Sequence, residues 1–228
     1  MVEACDALLS SIRYPLSVSH FPLSVILYPF RMPMRYVPND KWSQKAAAEG
    51  YRARSVYKLQ EMDEKFHLIH KGMTILDVGA APGSWSQYCA KKLKGSGRIV
   101  AIDLQEIEPI TGVDTHVADM LDHDAINAIL SSITDPKSPI TLILSDIAPS
   151  TSGVKDIDQW RSIELSQAVV ELAKAHLKPG GTCVMKVFRG ADFDEFLSEC
   201  KKVFVQVRLF EAKASRDRSR EIYIIAKR

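Results

Sequence analysis

The sequence predicts an α/β fold: a mostly parallel β-sheet with helices on both faces and one antiparallel strand. Three observations carry this expectation. After about residue 70, short β-rich runs alternate with helical stretches. The β-rich runs are almost continuously apolar, as expected of a sheet buried on both faces. The last two runs have no helix between them, so they pair as a hairpin and reverse one strand.

The elements follow in chain order. Residues 73–78 (MTILDV) form the first strand and lead into a helix over 85–93. Residues 98–102 (RIVAI) form the second strand, and 116–117 mark a short third. A helix over 126–133 precedes the strand 141–145 (TLILS). Ile163, Val169, Val170, Leu172, Ala173 and Leu177 fall on one helical face, which places a helix over 162–177. The Lys178-Pro-Gly-Gly181 run stops it. Residues 182–188 (TCVMKVF), 203–210 and 221–226 complete the set of strands.

Composition sets the class. The chain has 228 residues, of which 46% are hydrophobic and 25% charged, which suits one globular domain rather than a disordered or collagen-like chain. Cys5, Cys89, Cys183 and Cys200 never stand at C-x-x-C spacing, so reduced thiols are expected and a metal site is not. Residues 1–34 differ from the rest. Their apolar run is broken by Pro15, Pro22 and Pro29, which rules out a membrane span, and no basic segment or cleavage site marks a secretory signal. Residues 1–33 are expected to be a dispensable extension, with a single working domain over 34–228.

The net charge of +2 hides an uneven distribution. Residues 35–58 carry six basic and two acidic side chains, and 208–228 carry seven and three. The intervening 59–207 has 15 basic against 21 acidic. Two basic ends folded onto one face would attract a polyanion.

The first strand runs into Asp77-Val-Gly79-Ala-Ala-Pro82-Gly83-Ser-Trp85. Small residues at a strand-to-helix turn let a ligand come close, with backbone amides facing it. Asp103 ends the second strand, where a ribose diol would bind in an open parallel sheet, and Asp119 follows the third. The spacing is not G-x-G-x-x-G, which disfavours a dinucleotide. A turn with acids ending the next two strands points to a nucleoside-bearing cofactor.

DVGAAPGSWSQY resembles the cofactor motif of the FtsJ-like ribosomal RNA ribose 2′-O-methyltransferases, and the resemblance extends over residues 35–228. It implies a seven-stranded Rossmann-like sheet and S-adenosylmethionine as cofactor. By the same resemblance, Gly83 and Trp85 would line the methionine end, Asp103 the ribose and Asp119 the adenine. Asp146 would lie near the sulfonium, and Gly79 and Pro82 would shape the turn. Four more stretches match: YRARSVYKL with Lys58, LSDIAPS with Asp146, VMKVFRG with Lys186 and SRDRSREIYIIA with Glu221. Together they supply the family's Lys-Asp-Lys-Glu tetrad. One departure is Ser150, where the family often has asparagine.

The residue types suit the reaction. A ribose hydroxyl is a poor nucleophile, so oxygen, methyl and sulfur must be aligned and the proton removed. Lys186 is the candidate base, unusual for a lysine in so apolar a run. Lys58 is the like-charged neighbour that orients the hydroxyl, and Asp146 and Glu221 position both amines and offset their charge. A base-free variant, in which alignment does most of the work, stays open.

Lys41, Lys45, Arg52 and Arg54 precede Lys58, and Lys213, Arg216, Arg218 and Arg220 precede Glu221. Both basic clusters should therefore approach the cleft and hold RNA phosphates. The resemblance implies a uridine of large-subunit ribosomal RNA in the assembled subunit as substrate, and a cytoplasmic monomer with no membrane or metal partner is expected. The alternatives are a transfer RNA ribose methyltransferase and a non-catalytic ribosome-assembly factor. A base N-methyltransferase is disfavoured because no Asp/Asn/Ser-Pro-Pro-aromatic motif occurs.

Overall fold

The computed structural model describes residues 40–133, 138–150, 152–215 and 219–228. The expected extension at 1–33, and Arg216 and Arg218, lie outside the described residues. Seven strands form one sheet in the order β3-β2-β1-β4-β5-β7-β6. They are β1 (Met73–Val78), β2 (Gly97–Asp103), β3 (Asp114–Val117), β4 (Ile140–Ser145), β5 (Leu177–Phe188), β6 (Gln206–Phe210) and β7 (Glu221–Lys227). The pairings β3-β2-β1-β4-β5 are all parallel. Only β7 runs against its neighbours, antiparallel to both β5 and β6. The expected hairpin and single reversed strand are both present.

The helices α1 (Lys41–Ala48), α2 (Val56–Phe66) and α3 (Ser84–Leu93) cover one face. Their buried residues Val56, Leu59, Met62, Trp85 and Cys89 pack on Ile75, Leu142, Leu144, Val184, Tyr223 and Ile225. The other face carries α4 (His123–Ile133), α5 (Lys155–His176) and α6 (Phe193–Val203) against Leu76, Ile143, Met185, Val187 and Ile224. Strand residues alternate between the two clusters, so a strand needs apolar side chains on both faces. This accounts for the near-continuous apolar runs.

Two expectations need correction. A strand over 203–210 is in fact the end of α6 followed by β6, with the break at Phe204 and Val205. Phe193, Phe196 and Cys200 bury one face of α6, at i, i+3 and i+7, while its charged residues stay outside. The long helix begins at Lys155, not 162, and ends one residue earlier, at His176. The helices α1 and α2, which precede the sheet, had not been assigned from sequence.

Candidate active site

The carboxyl ends of β1, β2 and β4 open into a cavity of about 500 Å³. Its wall includes Gly79, Asp103, Asp119, Asp146, Ile147 and Ser150. Four of the expected cofactor residues (Gly79, Asp103, Asp119 and Asp146) therefore share one space. The turn after β1 works differently from expectation, because its amides are already used. Gly79 and Ala80 donate to the Ile102 carbonyl at 2.9 and 3.3 Å, Ala81 to Asp103 Oδ2 at 2.9 Å, and Gly83 to the Ala80 carbonyl at 2.6 Å. Asp103 thus holds the turn while its other oxygen accepts from the Gln105 amide at 2.8 Å.

The two glycines admit protein rather than ligand. Gly79 has φ +70°, and a Cβ there would lie 2.7 Å from Ile147 Cβ, so the residue beside Asp146 packs directly onto the turn. Gly83 has φ +103°, and a Cβ there would meet Ile110 at 2.7 Å and Arg52 Nη1 at 3.1 Å. Pro82 follows a cis peptide and is exposed. Trp85 is buried in the core, where its indole N–H donates to the Ser55 carbonyl at 2.8 Å. Gly83, Pro82 and Trp85 are not part of the cavity wall.

The four tetrad positions do converge. In the β5–β7 register Lys186 lies opposite Tyr223 and Phe188 opposite Glu221, so Lys186, Tyr223 and Glu221 share the face covered by α2. Lys58, in the first turn of α2, reaches down to them. Lys186 Nζ sits 3.1 Å from Asp146 Oδ1 and donates to the Asp146 carbonyl as well. Lys58 Nζ bonds Glu221 Oε2 at 2.6 Å. The two lysines are only 7% and 5% exposed, so both charges are met by carboxylates in a nearly dry setting.

Tyr223 ties the two pairs together. Its hydroxyl donates to Asp146 Oδ1 at 2.6 Å, and Lys58 Nζ lies 5.8 Å from the centre of its ring. Burial, then the Asp146 and Glu221 carboxylates, push the phenol well above its ordinary pKa, so it remains a donor. Burial would raise the Asp146 pKa. The charges of Lys186 and Lys58 and the Tyr223 hydrogen bond outweigh that and hold it below the usual carboxylate range. The reading of the sequence missed Tyr223, although it stands two residues after Glu221 and a strand's alternation puts both on one face.

It also gave no role to Asp77. This carboxyl is 1% exposed, accepts from the Ser86 hydroxyl at 2.6 Å, and leaves Oδ1 without a partner among the described residues. Burial pushes it up to about 7 against the Ser86 bond, with Asp146 and Asp103 adding to the rise.

The basic clusters are only partly what was expected. Arg52 is an internal clamp: Nη1 donates to the carbonyls of Pro82 at 3.0 Å and Glu108 at 2.7 Å, and Nη2 to that of Pro109 at 3.0 Å. Arg54 pairs with Asp40 at 2.8 Å and donates to the Ala214 carbonyl at 3.0 Å. Its contact does bring the stretch before Lys58 against the stretch before Glu221. Both guanidinium groups are engaged with protein acceptors, which fixes where they stand. Lys41, Lys45 and Arg220 are exposed.

Comparison with known proteins agrees with this geometry. The sequence profile of the FtsJ-like methyltransferases matches residues 51–228. Ribosomal RNA large subunit methyltransferase E of Methylobacillus flagellatus is 42% identical over 187 residues, 82% of this chain and 89% of that protein. The protein of that name from Azoarcus sp. is 44% identical, covering 82% and 90%. A crystal structure of a Plasmodium falciparum protein described as a ribosomal RNA methyltransferase superposes with a TM-score of 0.71 at 30% identity, covering 78% of this chain and 97% of that one. With a cavity at the strand ends, a paired Lys-Asp-Lys-Glu cluster beside it and matches of this extent, the chain belongs to the FtsJ-like methyltransferase family.

Proposed function

We propose that this protein moves a methyl group from S-adenosylmethionine to the 2′-hydroxyl of a ribose, a uridine of large-subunit ribosomal RNA in the assembled subunit. One observation carries the reading. Asp146 belongs both to the wall of the cavity and to the ion-paired cluster, so a ligand in the first lies against the second. The names of the related proteins support the RNA class.

The residues present fit the cofactor. About 500 Å³ is within the range of small-molecule sites. The wall is rich in carboxylates, with Asp103, Asp119, Asp146 and Glu164 against Arg161, which suits a ligand carrying positive charge. Asp103 and Asp119 line the cavity at the ends of their strands, where hydroxyl and amino groups of a nucleoside would bind, and the Asp103 oxygens that already accept backbone amides have further lone pairs to accept a ribose hydroxyl. When bound, S-adenosylmethionine supplies a methyl group already activated on a sulfonium.

The chain's own residues then have two tasks. The first is to fix the ribose oxygen in line with the methyl carbon. Lys58, held by Glu221, and Lys186, held by Asp146, flank the place where that oxygen must sit. The second is to remove the proton. Two N–H bonds of Lys186 are directed at Asp146, one to the side chain and one to the backbone carbonyl. In the neutral amine, the remaining position is a lone pair that accepts the hydroxyl proton without disturbing either contact.

The test uses the purified protein, isotopically labelled S-adenosylmethionine and large ribosomal subunits from cells lacking the activity, with the product nucleoside identified by mass spectrometry. The expected product is a single 2′-O-methyluridine. Label on a base, or on transfer RNA alone, would overturn the reading.

A further inference from the structure

At the end of the sheet opposite the active site lies a second cavity of about 490 Å³. Its wall carries His67, His70, Lys71, Lys178, Arg208 and Lys227 and, among the described residues, no carboxylate. All six are exposed, and none of the four Lys and Arg side chains forms an ion pair with a described carboxylate. Elsewhere the basic residues are commonly matched, as with Arg54 and Asp40 or Arg98 and Asp114. An uncompensated concentration of cations around a cavity raises the local potential and draws in anions.

The folding of the chain explains why these charges collect here. The helix α2 ends at Phe66, and the link to β1 carries His67, His70 and Lys71 down one side. Lys178 projects from the Pro-Gly-Gly run at the start of β5, and Arg208 and Lys227 come from the paired strands β6 and β7. In register, Thr182, Lys227 and Gln206 stand side by side across three strands, and all three line the cavity. Lys227 is on the same face of β7 as Glu221 and Tyr223, six residues on, or about 20 Å along the strand. The cluster proposed for catalysis and the basic cavity therefore occupy two ends of one sheet face, with α2 between them.

We propose that this basic cavity is a second phosphate-binding site, which holds phosphodiesters of the substrate RNA about 20 Å from the reacting ribose. The inference rests on the RNA substrate proposed above. Its charges come from separate segments and ring an open cavity, rather than converging from buried positions onto one point. That distribution suits successive phosphates of a polyanion better than one small anion. It also gives the enzyme cations for RNA that are not already bonded to protein acceptors, as Arg52 and Arg54 are.

The test is the charge-reversed variant K71E/K178E/R208E, with K71Q/K178Q/R208Q as the milder form and thermal melting as the check on folding. None of these residues touches the active site. RNA binding is measured across a salt series, together with methyl transfer and S-adenosylmethionine affinity. The expected result is an RNA affinity at least about tenfold weaker in the charge-reversed variant, with the salt slope reduced by about two. Turnover at saturating RNA and cofactor affinity should stay within about twofold of the wild type. A folded variant with unchanged RNA affinity and salt slope overturns the second site while leaving the methyltransferase reading intact. Wild-type protein that neither binds RNA nor methylates it overturns that reading instead. Inorganic phosphate that perturbs the His67 and His70 ring signals, without any competition against RNA, overturns the RNA assignment in favour of a small anion.

Discussion

Asp77 and Asp146 are the same residue type, placed at the carboxyl ends of the adjacent strands β1 and β4, and they are pushed in opposite directions. Burial carries Asp77 up to about 7, because hydrogen bonding from Ser86 does not offset the loss of water. Asp146 loses water too, but two ammonium groups and a phenol hold it below the ordinary carboxylate range. Burial disfavours the charge at both places, and the partners decide the outcome. Asp146 has those partners because β5, β7 and α2 each bring a side chain to it. Asp77 faces neighbouring carboxylates instead of cations.

The strongest way to break this difference is to remove the cation. Lys186→Ala takes away both the proposed base and the nearest positive charge on Asp146. Methyl transfer should fall about a thousandfold, measured with labelled cofactor on undermethylated large subunits, with cofactor binding retained. The same substitution should make Asp146 behave more like Asp77. In the wild type, Asp146 has its folded pKa below the unfolded value, so it contributes stability that is present above the unfolded value and lost as pH falls through the folded one. In Lys186→Ala that acid-side loss should shrink. Retained turnover would remove Lys186 from the mechanism.

Tyr223→Phe is the gentler probe. It deletes the 2.6 Å hydrogen bond to Asp146 Oδ1 and leaves both lysines in place. A bond to a charged acceptor contributes about 1.5–3 kcal/mol, so a fall in turnover of about tenfold is expected, with RNA and cofactor affinity unchanged. An effect as large as that of Lys186→Ala would make the hydroxyl a participant in the reaction rather than a support for the carboxylate.

What could be read from the sequence depended on how local the signal was. Most of the strands showed because they are short apolar runs, while β3 (DTHV) was read only over 116–117 and β6 with its start misplaced, and the tetrad showed because each member sits in a recognisable local motif. The helix α6 was hidden because the apolar run after it masked the boundary at Phe204, although Phe193, Phe196 and Cys200 already had helical spacing. The clamp formed by Arg52 could not be read at all. Its partners are carbonyls 30 to 57 residues away, and a backbone oxygen leaves no mark in a sequence. The glycine turn was read as a cradle with amides for a ligand, yet those amides are held by Ile102, Asp103 and Ala80. Motif residues identified the site, while their individual tasks depended on partners far away in the chain.

The smallest expected effect is on stability, and it tests the Asp77 half of the comparison. The folded pKa of about 7 lies above the unfolded value of 3.8, so between these limits the folded protein holds a proton that the unfolded chain has lost. Stability from this group therefore falls as pH rises from about 4 to about 7 and levels off above, with a slope of up to about 1.4 kcal/mol per pH unit. Asp77→Asn cannot ionise, so its unfolding free energy should lack that slope and approach or exceed the wild type at high pH. Urea unfolding of both proteins at a series of pH values measures the difference. Parallel curves would mean that Asp77 is charged in the folded protein and has a partner for Oδ1. Its contrast with Asp146 would then be one of position alone.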